Sequence, residues 1–166
     1  LPEMSPGEVR IFADQADQAA REHIGSTASA GGQDSRPRLP PGQHALQAMP
    51  VFGRNPSPRG LADWTLTVRG DVEQEMSLTW QEFLQLPRVE RTVDVHCVTH
   101  WSVLDVPWKG VLLSTLLGLA GPKKAARFLV FDCEQGYTTN IPLSEAAKDN
   151  VMVADGLFGE ALPHEH

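Results

Sequence analysis

One cysteine of the chain stands between two histidines, in the stretch His96-Cys97-Val98-Thr99-His100. A thiolate is a nucleophile and a soft metal ligand, and an imidazole binds metals or transfers protons. Before the cysteine, the apolar residues Val89, Val93 and Val95 are mostly two positions apart, which predicts a half-buried β-strand. We therefore expect Cys97 where a strand meets a loop, a position that is both rigid and accessible. The alternative is a small buried cysteine with no chemical role.

The composition is that of an ordinary globular protein, with 41% hydrophobic and 21% charged residues among 166. The net charge of −7 argues against nucleic acid as a partner, because phosphate binding needs clustered Lys and Arg. Cys97 and Cys133 are too few for a disulfide framework, although they can still pair with each other. No apolar run approaches the length of a membrane span. The chain starts at Leu1 without a signal-peptide pattern, and we expect it in the cytoplasm, or in the periplasm if an export signal was removed.

The beginning of the chain predicts a helix followed by a linker. Ser5-Pro6-Gly7-Glu8 is typical of a helix start with a capping box, so Val9 to Ile24 is interpreted as a helix and residues 1–24 as a helical appendage. Gly25 to Gly42 is rich in Gly, Ser, Ala and Pro, which predicts a flexible linker over 25–45. Residues 46–166 are expected to form the globular domain.

Short elements in irregular order follow within this domain. Strands are predicted at Trp64–Arg69, Met76–Leu78, Val89–Val95, Arg127–Asp132, Tyr137–Ile141 and Val151–Ala154, with a turn at Pro107–Gly110. Helices are predicted at Trp80–Leu86, behind the capping box Thr79 to Glu82, at Val111–Ala120, which Gly121 closes, and after Ser144 as a cap. This mixture favours an α+β fold over a doubly wound sheet.

Six motifs carry a family resemblance. They are Trp64-x-Leu66-x-Val68-x-Gly70, Trp80-x-x-Phe83-x-x-Leu86-Pro87, His96-Cys97-Val98-Thr99-x-Trp101-Ser102, Trp108-x-Gly110-Val111, Gly136-Tyr137-Thr138-Thr139-Asn140-x-Pro142-Leu143 and Gly159-x-Ala161-Leu162-Pro163-x-Glu165-His166. In this order and spacing, residues 46–166 resemble the molybdopterin-binding oxidoreductases of the sulfite oxidase superfamily. The resemblance implies the α+β fold of that family, with mixed short sheets and short helices.

The resemblance also implies an activity. Cys97 would be the ligand to the one molybdenum ion of a molybdopterin cofactor, and the reaction would be a two-electron oxygen-atom transfer on a small sulfur-containing or related substrate. A separate haem or cytochrome protein would exchange electrons with the site. A soft thiolate suits a metal already held by dithiolene sulfurs, and the protein supplies one ligand, orientation and a shaped pocket.

The segment before the first strand matches the family at three positions. Phe52, Arg54 and Asn55 resemble the Phe-x-Arg-Asn of animal and plant sulfite oxidases, although Pro56 stands where those enzymes have histidine. The resemblance implies that these residues contact the cofactor, with Arg54 suited to pair with the pterin phosphate. A surface arginine in a loop is the alternative.

Two further residues match cofactor positions of the bacterial protein-methionine-sulfoxide reductase branch. Cys133 falls near a threonine that contacts the pterin there, and His166 occupies the position of a cofactor-contacting asparagine. The alternatives are a core cysteine and a solvated terminal residue.

Two departures from the family pattern affect the expectations. Val98 to Ser102 contains no arginine, whereas sulfite oxidases place anion-binding arginines there, so a strongly anionic substrate is not expected. Family members also continue past the position of His166 with Gly-x-Pro-x-Arg and Tyr-Gly-x-Lys segments that bind phosphate. The resemblance therefore implies a domain that is incomplete at its C-terminal end, and we expect these 166 residues alone to hold the cofactor poorly.

Two other interpretations remain open at the level of sequence. A set of Cys and His side chains can bind zinc or copper in a non-catalytic module, namely His96, Cys97, His100, His164 and His166. Alternatively, the same fold without its cofactor serves as an interaction domain.

Overall fold

The computed structural model describes residues 8–13, 37–51, 61–133 and 136–163. Within these segments the chain forms two five-stranded β-sheets and three short α-helices. The helices are α1 Trp80–Leu84, α2 Leu113–Ala120 and α3 Leu143–Ala146, and a 3-10 turn spans Leu61–Asp63. Mixed sheets with short helices confirm the predicted α+β class.

The first sheet contains β1 Glu8–Ala13, β3 Thr65–Gly70, β4 Met76–Thr79, β7 Ala126–Asp132 and β8 Thr138–Pro142. Their order is β4-β3-β1-β7-β8, with β1 parallel to β3 and antiparallel to β7. The strands predicted over 64–69, 76–78, 127–132 and 137–141 are therefore confirmed to within about two residues.

The predicted N-terminal helix is wrong where the structure describes it, because Glu8–Ala13 is strand β1. The strand fills the gap between β3 and β7, so both of its edges find hydrogen-bond partners. Pairing on two sides outweighs a local capping pattern, since helix propensity is worth only tenths of a kcal/mol per residue. Positions 14–24 of the predicted helix lie outside the described residues.

Helices α1 and α2 pack onto the main hydrophobic core. In α1, Thr79 accepts from the backbone N–H of Glu82 while the Glu82 carboxylate accepts from the backbone N–H of Thr79, which confirms the predicted capping box. Helix α2 starts two residues later than predicted, because Val111 and Leu112 still belong to a strand, and Gly121 ends it with φ 63° as expected. The buried residues of this core include Val68, Phe83, Val111, Leu116 and Leu129.

The second sheet is built around one long strand. It contains β2 His44–Ala45, β5 Arg88–His96, β6 Trp101–Leu112, β9 Met152–Leu157 and β10 Glu160–Ala161. β5 pairs with β6 along nearly its whole length, while β2 and β9 pair with the two ends of β6. Since a strand has two hydrogen-bonding edges, β2 and β9 share the edge of β6 that β5 leaves open. A smaller core lies here, around Trp101, Val103, Val106 and Leu157.

The turn predicted at Pro107–Gly110 is wrong, because these residues lie within β6. Proline lacks an N–H and usually interrupts a sheet. The carbonyl of Pro107 accepts from the N–H of Phe158, so the missing donor also faces the β9 side. The β9 ladder starts at the next residue, Trp108, so the proline lies at the end of this pairing, where its missing N–H does not interrupt the ladder.

Two smaller corrections concern residues outside the central strands. Ser144 lies inside α3 and Pro142 is its N-cap, so Ser144 does not cap this helix. The described end of the predicted linker, residues 37–45, includes β2, which pairs in parallel with β6. This part of the chain is thus attached to the second sheet.

Candidate active site

Cys97 directly follows β5, as predicted, and opens the short loop that leads into β6. Two backbone hydrogen bonds close this loop: Cys97 N–H donates to the carbonyl of Trp101 at 2.9 Å, and His100 N–H donates to the carbonyl of Cys97 at 3.1 Å. His100 takes up φ 68°, a left-handed conformation that is typical of the last residue in a tight hairpin loop. The loop therefore fixes the backbone on which the thiol stands.

The sulfur of Cys97 has a polar environment. Its Sγ lies 3.1 Å from the hydroxyl of Thr99, and the side chain of Cys97 is partly exposed. The hydrogen bond from the Thr99 side chain, followed by the backbone amides of Thr99 and Val98, lowers the pKa of the Cys97 thiol below its ordinary value. Hydrogen bonds that favour the charged form have this effect. The arrangement favours a thiolate, which is the form that binds metals.

A side-chain network supports this loop from segment 37–46. Gln43 Nε2 donates to the carbonyl of Cys97 at 2.9 Å, and Gln43 Oε1 accepts from the hydroxyl of Ser102 at 3.1 Å. A hydroxyl carries one proton, so Ser102 Oγ accepts from Nδ1–H of His96, 2.8 Å away. In the neutral ring of His96 the lone pair then lies on Nε2. Gln43 thus connects both ends of the Cys97 loop.

A second contact from the same segment holds the hairpin at a β-bulge. The register of β5 and β6 shifts between Val93 and Val95, and the carboxylate of Asp94 accepts from Arg38 Nε at 2.9 Å and Arg38 Nη2 at 2.6 Å. Arg38 also pairs with Asp105 at 2.7 Å. The Arg38 guanidinium, with the backbone N–H of Asp105, lowers the pKa of Asp94 to about 2. Arg38 is therefore engaged by two carboxylates.

The other predicted cofactor residues are not assembled with Cys97 in the described part of the chain. Phe52, Arg54, Asn55 and His166 lie outside the described residues. Cys133 directly follows β7 of the first sheet and is exposed, and partial burial of its sulfur, with Asp132 beside it, raises the pKa of this thiol. The roles of these residues remain predictions.

The zinc or copper cluster expected from the alternative interpretation is tested only in part. In the segments that the structure describes, no group of three or more His, Cys, Asp or Glu side chains is placed to hold a metal ion. His164 and His166 lie outside those segments.

Sequence reasoning missed the residues that support the loop. Thr99 was noticed only as part of a motif, although a hydroxyl two positions after a cysteine in a turn is a local signal of a contact with the sulfur. Arg38 and Gln43 fell within the predicted linker, and their partners are 54 to 67 positions away. Local patterns cannot reveal such contacts.

The fold places the chain among proteins with a molybdopterin-binding fold of the sulfite oxidase type. It is similar to the sulfane dehydrogenase SoxCD from Paracoccus pantotrophus, with a TM-score of 0.58 and 24% sequence identity, over 66% of this chain and 33% of that one. The model of one protein family, the oxidoreductase molybdopterin binding domain, matches residues 53–166, and the chain belongs to this family.

Individual relatives support the same assignment. The chain is 36% identical over 135 residues to the uncharacterized oxidoreductase YuiH of Bacillus subtilis, covering 80% of this chain and 68% of that protein. It is 29% identical over 121 residues to the protein-methionine-sulfoxide reductase catalytic subunit MsrP of Gluconobacter oxydans, and 30% over 122 residues to that of Xanthomonas axonopodis. It spans only 38% of the length of each of these reductases.

The donor chemistry at Cys97 fits a molybdopterin cofactor. The cofactor's dithiolene already supplies soft sulfur ligands, so the protein needs to add a deprotonated sulfur on a rigid loop that remains accessible. Cys97 suits these conditions, because hydrogen bonds lower the pKa of its thiol, its loop is closed and its side chain is partly exposed. As for membrane spans, the helices of the described segments are all too short or too polar to cross a bilayer.

Proposed function

We propose that this chain is the cofactor-binding catalytic domain of a molybdenum oxidoreductase and that Cys97 is its protein ligand to molybdenum. The observation that carries the proposal is the placement of the sulfur, which lies on a closed loop after β5 with the Thr99 hydroxyl 3.1 Å away. Membership of the molybdopterin-binding family supplies the cofactor that such a thiolate would bind.

The cofactor and the protein would contribute different parts of the chemistry. When bound, the cofactor supplies two-electron redox chemistry and oxygen-atom transfer. The chain favours the thiolate form of the sulfur through the hydrogen bond with Thr99 and fixes the direction of the Cys97 backbone through Gln43 and Trp101. Ligands oriented by outer contacts in this way keep their geometry through a reaction.

The experiment that tests the proposal replaces Cys97 by serine. A hydroxyl is a harder and far less acidic ligand than a thiol, so Cys97→Ser should abolish oxygen-atom transfer while the fold survives, because Cys97 is partly exposed. The measurements are the rate of substrate turnover with an artificial electron donor or acceptor, and the unfolding temperature by circular dichroism. Metal analysis of the purified wild-type protein accompanies them, and zinc or copper in place of molybdenum would contradict the proposal.

We propose a neutral oxo compound, such as a sulfoxide, as the substrate. No arginine follows Cys97 within the loop, and Arg38, which reaches the same hairpin, is neutralised by Asp94 and Asp105. A buried anion without a paired cation costs several kcal/mol. The names of the MsrP relatives, which are protein-methionine-sulfoxide reductases, point the same way.

Steady-state assays of the cofactor-loaded protein test this substrate class. Reduction of a sulfoxide with an artificial electron donor is compared with oxidation of sulfite by an artificial acceptor. We expect kcat/KM for the sulfoxide to exceed that for sulfite by at least about tenfold, the effect of 1.4 kcal/mol. Efficient sulfite oxidation would show that the substrate is an anion.

A separate electron-transfer protein, with haem as its cofactor, is the partner that we propose. The MsrP relatives are named catalytic subunits, which supports a division between catalysis and electron supply. In the described part of the chain, no group of three or more His, Cys, Asp or Glu side chains is placed to hold a metal ion.

A further inference from the structure

The Cys97 loop places one hydroxyl against the sulfur. Thr99 Oγ1 lies 3.1 Å from Cys97 Sγ, although Thr99 itself is exposed and its hydroxyl has water as an alternative partner. The contact is local and depends on the loop, which the hydrogen bonds of Cys97 with Trp101 and His100 close. Because the backbone is fixed in this way, the hydroxyl remains near the sulfur without a long side chain having to be ordered.

The direction of this hydrogen bond follows from the state of the sulfur. Between a neutral thiol and a hydroxyl, either group can donate. A thiolate has no proton, so in the ionised or metal-bound state Thr99 donates and Cys97 accepts. The contact is then a charge-assisted hydrogen bond, which is stronger than one between neutral groups.

We propose that the Thr99 hydroxyl donates a hydrogen bond to the metal-bound sulfur of Cys97 and thereby raises the reduction potential of the metal. This inference rests on the proposed function, in which Cys97 is the ligand. Thr99 is a positioning residue in this account, since it acts through Cys97.

The physical reason is the distribution of charge on the sulfur. A donated hydrogen bond withdraws electron density from a thiolate, so the ligand stabilises the oxidised metal less. Hydrogen bonds to cysteine sulfur tune the potentials of copper and iron–sulfur sites in the same way. Loss of the bond therefore makes the metal harder to reduce.

Two substitutions separate the hydroxyl from the shape of the side chain. Thr99→Val keeps the branched shape and removes the donor, whereas Thr99→Ser keeps the donor and removes a methyl group. Thr99 is exposed, so both variants should unfold at the temperature of the wild type. In the cofactor-loaded protein, we expect Thr99→Val to shift the molybdenum midpoint potential to more negative values and Thr99→Ser to retain the wild-type value. An EPR-monitored redox titration measures both.

A second arm needs no metal. In the cofactor-free protein at neutral pH, loss of the hydrogen bond should leave less of Cys97 as thiolate, the form that iodoacetamide alkylates. We expect alkylation of Cys97 to be slower in Thr99→Val than in the wild type, because the higher intrinsic reactivity of the remaining thiolate offsets the loss only in part. Peptide mass spectrometry follows Cys97 and Cys133 separately, and the rate at Cys133 should not change.

The outcomes distinguish this inference from the proposed function. If Thr99→Val has the same Cys97 alkylation rate and the same molybdenum midpoint potential as the wild type, the proposed role of Thr99 is wrong. This holds even if Cys97→Ser has lost all activity. Equal changes in Thr99→Val and Thr99→Ser would also overturn it, because the effect would then come from packing. If Cys97 is alkylated more slowly in Thr99→Val but Cys97→Ser remains active, Cys97 is not the molybdenum ligand. The hydrogen bond between Thr99 and Cys97 would then stand without its proposed effect on the metal.

Discussion

The side chain of Asp94 connects three parts of the chain at the bulge before Cys97. It accepts two hydrogen bonds from Arg38 and one from the backbone N–H of Asp105, 3.0 Å away. Asp105 has φ 56°, a left-handed conformation that aspartate tolerates better than most residues. One carboxylate thus holds both the arginine of segment 37–46 and the left-handed residue of β6 beside the bulge.

These contacts give the stability of the protein a defined pH dependence. The pKa of Asp94 falls from 3.8 to about 2 in the folded state, so folding favours the ionised carboxylate. The resulting stabilisation is complete above the unfolded-state value and is lost as the pH falls towards about 2. We expect the difference in unfolding free energy between wild type and Asp94→Asn to be constant above pH 3.8 and to shrink between pH 3.8 and about 2.

Urea unfolding at a series of pH values measures this difference. Asp149→Asn is the matched control, because it makes the same change at an exposed aspartate in the loop before β9. A difference for Asp94→Asn that is independent of pH would show that Arg38 does not interact with the ionised carboxylate.

At the scale of elements, Gly110 allows β6 and β9 to approach each other. The register of these strands shifts between Lys109 and Gly110. A Cβ at position 110 would lie 2.2 Å from the carbonyl oxygen of Val153 and 2.7 Å from Cα of Ala154. This contact explains in physical terms why the Trp-x-Gly-Val motif needs glycine at that position.

We therefore expect Gly110→Ala to destabilise the protein. The methyl group would meet backbone atoms, which cannot move aside like a flexible side chain, and overpacking of this kind costs about 1–3 kcal/mol or more. Gly118→Ala is the matched control: Gly118 lies in α2 with no atom within 4 Å of its added Cβ, and alanine favours a helix by about 1 kcal/mol. Denaturant unfolding measures both, and Gly110→Ala as stable as wild type would contradict the close approach.

Segment 37–46 supports the Cys97 loop and the hairpin that carries it. Arg38 contacts the bulge, Gln43 contacts the loop, and Leu46 N–H donates to the carbonyl of Ser102 at 2.8 Å. Leu46 and Met49 then pack onto the smaller core. The position of the thiol therefore depends on residues far from it in sequence.

For the whole molecule, the sequence predicted those features that depend on neighbouring residues. The strand before Cys97, the Thr79 capping box and the Gly121 helix end depend on local patterns, and the structure confirms each of them. The helix predicted from residue 9 failed because a gap between two strands of the first sheet decides the structure there. The turn at Pro107 failed because only the position of β9 shows that its missing N–H is harmless.

The candidate site was likewise predicted only where neighbouring residues determine it. The sequence located Cys97 at the end of a strand, but not Thr99, Gln43 or Arg38 as its support, since two of these reach it across more than 50 positions. The family assignment, which rested on motifs spread over the whole domain, is confirmed over residues 53–166. The cofactor contacts of Phe52, Arg54, Asn55 and His166 lie outside the described residues and stay predictions.

The central claim, that Cys97 binds molybdenum, is tested most directly by X-ray absorption at the molybdenum edge. The cofactor-loaded wild type and Cys97→Ser are compared under identical conditions, and the number of sulfur neighbours of the metal is fitted for each. We predict one sulfur neighbour fewer in Cys97→Ser, replaced by a shorter contact to a lighter atom. The same number of sulfur neighbours in both proteins would show that Cys97 is not the ligand.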